Sequence, residues 1–532
     1  MDSEKLTREV TPEIIEKLAE IVGKDNINTS EMDRQLYSHD LAPLPKEAGV
    51  AFKNVPDVIV RPTSTQQVAA VMRLAYETGV AVTPRGNSTW GLGGSMPIAA
   101  GILLDMSSKM NNIIAVDPEN MCVKAQAGAT WKSVLDTCME KGFIIGSYPS
   151  SFPAATLGAW IMTNGMGVGS YKYGAAKDNI LNMQVVTPDG TVLETGYDHI
   201  GSYMSGYNLN QLFAGSEGTL GVICNVTFRM YPMGVIKPLA YEFENLKDAD
   251  PAIQDITKNA SLRPLHISWS DYNHFANQRK AGVAAPDVKN VVLITMQEDQ
   301  KVLDVEVPMV DEIMAAHGGK RVDDAIADHE WSERCYEFRA RKAGVGEIPA
   351  EVIVPTKNWG QFVDECYEGF KVMKMEVGGV IGQIVDRTTA LFMPYYFKDD
   401  ESLLGMTAFS FNFYLGDRAA VYGGRSTGLG VFFAWNLDNM HDAETVAYMR
   451  ALKTFVDPHD VMNPGHVVCG LTRFGIGLSH GLMTFASGLL QTVKKLLPEN
   501  TTFEDNIARF RYNQLEEEKD ADRVHVLGYG AL

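Results

Sequence analysis

No stretch of about 18 consecutive apolar residues runs free of polar breaks in this 532-residue chain, which argues against a membrane-spanning helix. Cysteine is scarce and scattered. Cys122, Cys138, Cys224, Cys335, Cys366 and Cys469 form no CxxC pair and no cysteine–histidine string, so the spacing suggests neither an iron–sulfur nor a zinc site. Free thiols in a reducing cytoplasm are the simpler account. Basic residues are also short, 47 against 66 acidic, and the net charge of −19 repels phosphate backbones and argues against a nucleic-acid role. The opening MDSEKLTREVTPEIIEKL lacks the apolar core of a secretory signal, so a cytoplasmic location is expected. The chain shows no internal repeat and no low-complexity segment.

What is present is enough apolar material for more than one core. Hydrophobic residues make up 45% of a length well beyond the ~250–300 residues at which a single core stops growing. Residues 1–54 hold an amphipathic helix opened by Thr11-Pro12. From 55 to 235, short strands (DVIVRP, AVTPRG, GILLDMS) alternate with helices and glycine-rich turns. From 236 to 442 the glycine loops thin out, and LHISWSDYNHF, VVLITMQED and ALFMPYYF point to a second domain with an antiparallel sheet. A helix and stop, AETVAYMRALKTFVDPHDVMNPG, occupy 443–470, and 471–532 form a tail. The fold class is α+β.

Four segments of small residues carry the chemistry. Pro84-Arg85-Gly86-Asn87-Ser88-Thr89 follows a strand and runs into Gly91, Gly93 and Gly94; amides in such a turn form a concave anion site, and a pyrophosphate is the natural guest. The second segment runs from Tyr148 and Pro149 through Thr156, Gly158 and Asn164 to Ser170, Gly174 and Asp178, dense enough in small residues for a flat aromatic ligand to lie on backbone. Its GMGVG string follows a polar turn and opens no clear helix, so it is no dinucleotide fingerprint and NAD is not supported. The third is FAGSEGTLGVI, including Gly221 and Ile223. The fourth, DPHDVMNPG, contains Asn463.

In order and interval, these segments resemble the flavoprotein family of vanillyl-alcohol oxidase and p-cresol methylhydroxylase, in the branch of FAD-linked D-lactate dehydrogenases, the glycolate oxidase flavin subunit and alkylglycerone-phosphate synthase. The resemblance covers about 35–235 well and 330–470 more loosely. It implies a two-subdomain FAD-binding domain with an antiparallel-sheet substrate (cap) domain, and a dehydrogenase acting on a C–H next to oxygen. The FAD ligands it implies are Pro84, Arg85, Gly86, Asn87, Ser88, Thr89, Pro149, Thr156, Gly158, Asn164, Ser170, Gly174, Gly221, Ile223 and Asn463. Some relatives tether the flavin through histidine. The first glycine loop has none, so noncovalent FAD is expected, a tether from the second domain being left open.

The chain departs from that branch where relatives bind a metal. The places of their H-x-G-D-G-N-x-H strand and E-H-G turn read GQIVDRT (382–388) and GGRSTGLG (423–430), without histidine, so no metal is expected there. Aromatic residues Phe392, Tyr395, Tyr396, Phe432, Phe433 and Trp435 stand nearby, as core or as the wall of a site for a substrate larger or more aromatic than lactate. Arg334, with the following Arg339 and Arg341, and independently Arg425 are the candidate carboxylate binders, with Trp435 beside the substrate; Asp386, Tyr395, Tyr396 and His266 are the candidate bases. In the tail, Leu478, Leu482, Phe485, Leu489, Val493 and Leu497 recur at helical spacing, expected to pack on the chain's own domains or, alternatively, to dock a partner. The resemblance implies electron-transferring flavoprotein or an iron–sulfur subunit as acceptor, and leaves a homo-oligomer open. Rival readings are a redox-neutral enzyme like alkylglycerone-phosphate synthase, a phenolic alcohol oxidase, and a noncatalytic electron-relay subunit.

Overall fold

Val82–Arg85, the strand that delivers the first glycine loop, lies parallel to Ile102–Asp105, which lies parallel to Val58–Val60; Ile27–Asn28 closes this four-stranded sheet antiparallel. The computed structural model describes residues 8–41, 52–335, 338–343, 346–398, 405–468, 470–472, 477–498, 503–504 and 507–508. Val58–Val60 is wholly buried, as an uninterrupted apolar run requires when both faces of a parallel sheet are covered. The crossover helix Thr65–Thr78 is capped by Ser64, whose hydroxyl accepts from the Gln67 amide, and stops at Gly79 in the left-handed region (φ 71°). Its Val68, Val71, Met72 and Ala75 recur at 3–4 residue spacing and supply the face that the sheet buries.

The second sheet is antiparallel, in the order Ile113–Asp117, Cys122–Gln126, Val222–Pro232, Ile180–Val186 and Val192–Glu194, with Phe143–Ile145 pairing on the far half of Val222–Pro232. Helix Trp131–Met139, capped by Thr130, lays Trp131 against Phe228 and Trp160 with ring centroids 5.1 and 5.0 Å apart. The first glycine loop, the GMGVG turn and the SEGTLG turn of this half converge on one cavity.

The third sheet has eight antiparallel strands, with His266–Ser270, Ile381–Ile384, Thr389–Phe392 and Val352–Pro355 adjacent in that order. Helices Asp250–Lys258, Gln300–Ala316, Trp359–Val372 and Ser410–Val421 cover one face and bury its large side chains. There Trp269, Trp359, Phe362 and Phe392 interlock edge-on, each burial contributing about 1.5–3 kcal/mol. The chain then returns. After helix Ala443–Val456, the Val82 amide donates to Val461 O (2.7 Å) and the Asn463 amide to Val82 O (2.8 Å), so the C-terminal segment adds an edge to the first sheet. The Lys453 ammonium, buried below, holds this return by donating to Thr219 O, Met462 O and the Asp457 carboxylate.

In the tail, helix His480–Leu496 packs Ser487, Gln491 and Lys494 toward helix Ser410–Val421, Gln491 donating to Asp417. The expected inward stripe is therefore turned: Leu482, Phe485 and Leu489 face solvent. The charged stretch QLEEEKDADR lies outside the described residues, as does Cys469. No described helix is long and apolar enough to cross a membrane.

Candidate functional site

A cavity of about 520 Å³ lies where the N-terminal glycine turns meet residues of the third sheet such as Gln383 and Leu391, within the range of cofactor and ligand sites. On the N-terminal side it is floored by the first glycine loop. Gly86 presses so closely on the helix Leu157–Met162 that a Cβ there would stand 2.3 Å from Thr156 Oγ1 and 2.9 Å from Ala159 Cβ. Gly158 is as tight, 2.8 Å from Ala127 Cβ by the same measure. Ser88 sits at φ 53°, a left-handed turn that bends the loop over the cavity. Among the described residues, nothing accepts from the amides of Asn87, Ser88 and Thr89, which is the form of an anion nest.

Three buried polar oxygens around this floor, Thr156 Oγ1, Asn164 Oδ1 and Asn463 Oδ1, also lack a partner in the described protein. Asn463 and Asn164 both hold positive φ (40° and 49°), and the Asn463 amide group donates to Gly94 O and Glu217 O. Unsatisfied buried groups cost about 1–3 kcal/mol each. A long guest with an anionic middle and polar groups along its length, such as FAD, meets both the unpaired amides and the orphaned oxygens.

The opposite wall comes from the cap: Phe338, Arg339, Arg341, Ile348, Pro349, Glu351, Gln383, Leu391, Met393, Phe409 and Asn412 line it. Gln383 donates through Nε2 to Met166 O (3.2 Å), tying the cap sheet to the GMGVG turn. Arg341 donates to the Glu347 carbonyl, and its guanidinium lies 5.3 Å from the Phe338 ring centroid. Burial pulls its pKa below the usual guanidinium range. Two carboxyls, Glu217 of the N-terminal half and Glu351 of the cap, complete the lining. Glu217 accepts from the amides of Leu429 (3.3 Å) and Gly430 (2.9 Å), and Glu351 accepts from Trp90 Nε1 (3.2 Å). Burial pushes each up to about 7.

Of the residues singled out by sequence, Pro84, Arg85, Gly86, Ser88, Thr89, Pro149, Thr156, Gly158, Asn164, Gly221, Ile223, Arg339 and Arg341 line the cavity. Arg85 donates back to Tyr37 O and His39 O, anchoring the loop from below. Asn87 donates to Ala154 O, Ser170 Oγ accepts from the Gly167 amide, and a Cβ at Gly174 would crowd Asp178: these three shape the turns from outside the lining.

The cap candidates are mostly redistributed. Asp386 is an exposed turn residue that accepts from Thr388. Arg425 is exposed and donates to Met440 O, and Trp435 packs on Phe413 with its indole on Phe432 O. Tyr395 bonds His274 and Tyr396 bonds Asn412, both wholly buried, their phenols driven far above the usual value by burial. His266 is buried beside Trp331, and its pKa falls to about 3 through burial and the Arg334 charge; Arg334 stacks over Trp331 and donates to Tyr148 Oη. None of these seven lines the cavity. Within the strand pair Ile381–Ile384 and Thr389–Phe392, residues 392 and 382 turn to the helices and 391 and 383 to the cavity, whereas Tyr395 and Tyr396 belong to a separate two-stranded sheet with Gly346–Pro349. Glu217 and Glu351 were missed. Their signal was a lone acid inside an otherwise small or apolar buried run, SEGTLG and PAEVIVP.

The family model described as FAD binding domain matches residues 56–196, and that described as FAD linked oxidases, C-terminal domain, matches 235–467. Among curated relatives, the chain is 25% identical over 470 residues to "Glycolate oxidase subunit GlcD" of Bacillus subtilis, covering 86% of this chain and 97% of the other. It is 24% identical over 483 residues to "D-lactate dehydrogenase [cytochrome] 1, mitochondrial" of Saccharomyces cerevisiae, covering 85% and 79%. Among solved structures, p-cresol methylhydroxylase with substrate bound superposes at a TM-score of 0.74 (18% identity, 85% and 96% covered), and an alkyldihydroxyacetonephosphate synthase at 0.67 (20% identity, 86% and 87% covered).

Proposed function

The chain belongs to the FAD-linked oxidoreductases that join an FAD binding domain to an FAD-linked-oxidase C-terminal domain, and on that premise we propose that it is a dehydrogenase oxidising the C–H bond next to oxygen in a hydroxy acid or alcohol bulkier or less polar than lactate. The observation that carries this reading is the wall facing the cofactor cradle: a desolvated guanidinium, Arg341, set among Phe338, Ile348, Leu391, Met393 and Phe409. Bound FAD supplies the acceptor for a hydride. The protein binds, orients and deprotonates. Arg341, with Arg339 beside it, offers the fork that grips a carboxylate, and Gln383 fixes the floor of that subsite against Met166. The apolar residues exclude water and accommodate the larger substituent.

Glu351, in the wall and tuned near neutrality, takes the hydroxyl proton. Among the described residues no histidine lines the cavity, and the group of three side chains that could share a metal ion lies elsewhere; a metal-free carboxylate clamp is accordingly part of the proposal. Electron-transferring flavoprotein or an iron–sulfur subunit, implied by the resemblance, is the proposed acceptor. Dye-linked turnover across 2-hydroxy acids and aromatic alcohols, with and without EDTA, tests this. Fastest turnover on a bulky carboxylate, unchanged by EDTA, is expected; fast, EDTA-sensitive turnover of lactate or glycolate contradicts it.

A further inference from the structure

The outer edge of the second sheet gathers three metal-ligating side chains that the flavin reaction does not use. Asp117 and Cys122 are cross-strand partners beside the turn that joins Ile113–Asp117 to Cys122–Gln126. His199 reaches them from the loop after Val192–Glu194, 77 residues on from Cys122. Its Nδ1 stands 3.6 Å from Cys122 Sγ and 3.8 Å from Asp117 Oδ2, and the three ligand atoms lie within 4.8 Å of one another. Metal–ligand bonds of about 2.0–2.3 Å at tetrahedral angles put neighbouring ligand atoms roughly 3.3–3.6 Å apart, so the Asp117 carboxylate, which accepts from the Glu119 and Asn120 amides and from Asn120 Nδ2, closes the set by exchanging the Asn120 side chain for the ion.

The surroundings suit a cation better than the sequence suggests. Lys124, on the same strand as Cys122, is taken up by Asp198 at 2.7 Å, and Arg229, the cross-strand neighbour of Cys122 on the other side, is drawn off to Gly201 O. The Lys124 charge is thus balanced by Asp198, and the Arg229 guanidinium is engaged by a backbone carbonyl. The thiol is buried (3% exposed), while the His199 side chain is 59% and the Asp117 side chain 31% exposed. A soft donor thus sits at the bottom, with two ligands that open to solvent above it.

We propose that Asp117, Cys122 and His199 bind one divalent cation of the zinc class, with a fourth position left to water. A thiolate, a carboxylate and a neutral imidazole balance the ion's charge, and binding releases the thiol proton to solvent. The site is separate from the flavin cavity and does not depend on the function proposed for it.

Co²⁺ titrated into chelator-treated holoprotein tests this, read as a difference spectrum against the flavin background. One equivalent should produce a thiolate-to-cobalt charge-transfer band that Zn²⁺ displaces. Cys122→Ser should abolish the band. His199→Ala, whose side chain is largely outside the core, should weaken binding at least tenfold, roughly the least expected when a supporting or ligating group is lost, with flavin content and melting temperature unchanged. A wild-type protein that gives no such band, or a His199→Ala variant that binds as tightly as the parent, overturns the proposal.

Discussion

Gln383 and Leu391 stand opposite one another on adjacent antiparallel strands, and both line the cavity, whereas Phe392, one residue on, packs against Trp269 at 4.9 Å in the helix-covered core. Gln383 is thus a polar residue set beside apolar Leu391 and Met393 in the wall, and its bond to Met166 O joins the two halves of the molecule. Gln383→Ala removes one hydrogen bond without opening the core. A fall in kcat/KM of about 5–15-fold is expected, corresponding to ~1–1.5 kcal/mol. Flavin content, measured by absorbance after denaturation, should not change.

Arg341 should separate charge recognition from catalysis. Arg341→Ala is expected to lower kcat/KM for a carboxylate substrate roughly 150-fold, about 3 kcal/mol for losing a desolvated charged partner. A neutral alcohol of the same shape should lose little. Arg341→Lys should recover only part of the difference, because a point charge does not reproduce the planar fork. Steady-state kinetics on the matched pair of substrates checks all three expectations.

Glu347 gives the site a pH dependence. Its carboxyl is buried near the Arg341 guanidinium, and burial pushes it up to about 8. Below that value the group is neutral and Arg341 faces the cavity as an uncancelled cation. Above it the carboxylate forms and competes with substrate, so KM for an anionic substrate should rise as pH passes about 8. Glu347→Gln should flatten that limb. Stability carries the opposite signature to a salt-bridged acid: the folded state keeps a proton that the unfolded chain loses near 4.5, so this group's contribution declines from about pH 4.5 to 8 and is flat beyond. A melting-temperature profile of the Gln variant should lack that decline.

Gly86→Ala tests the cradle. The added methyl would meet Thr156 Oγ1 at 2.3 Å, so the loop must lift from the helix that it presses. Purified variant protein should carry well under half the parent's flavin, and adding Thr156→Ser should not restore it, since the hydroxyl remains. Glu217→Ala is the complementary test of the lining: it orphans the Leu429 and Gly430 amides, and a loss of about 1–3 kcal/mol is expected in denaturant unfolding.

The cofactor half of this site was legible because its signals are local. A glycine that cannot carry a Cβ, as at Gly86 and Gly158, and a strand that runs into a small-residue turn announce themselves within a dozen residues. The cap half was not. Met393 and Tyr395 share a parity; they part because the chain leaves the third sheet after Phe392 and pairs Tyr395–Lys398 with Gly346–Pro349, a partner that no local pattern reveals. Phe392 and Tyr396 accordingly lie in the helix-covered core and Tyr395 in a smaller cluster, and the wall went to Leu391, Met393 and Phe409. Long-range pairing also hid the meeting of Cys122 with His199.

The most direct measurement is anaerobic titration of the purified yellow protein with bulky 2-hydroxy acids and aromatic alcohols. The long-wavelength flavin band should bleach stoichiometrically, stay bleached until an acceptor is added, and bleach far more slowly in Glu351→Gln. A flavin band that survives every candidate substrate, or one that bleaches and returns with no acceptor present, would contradict assignment of the protein as a dehydrogenase.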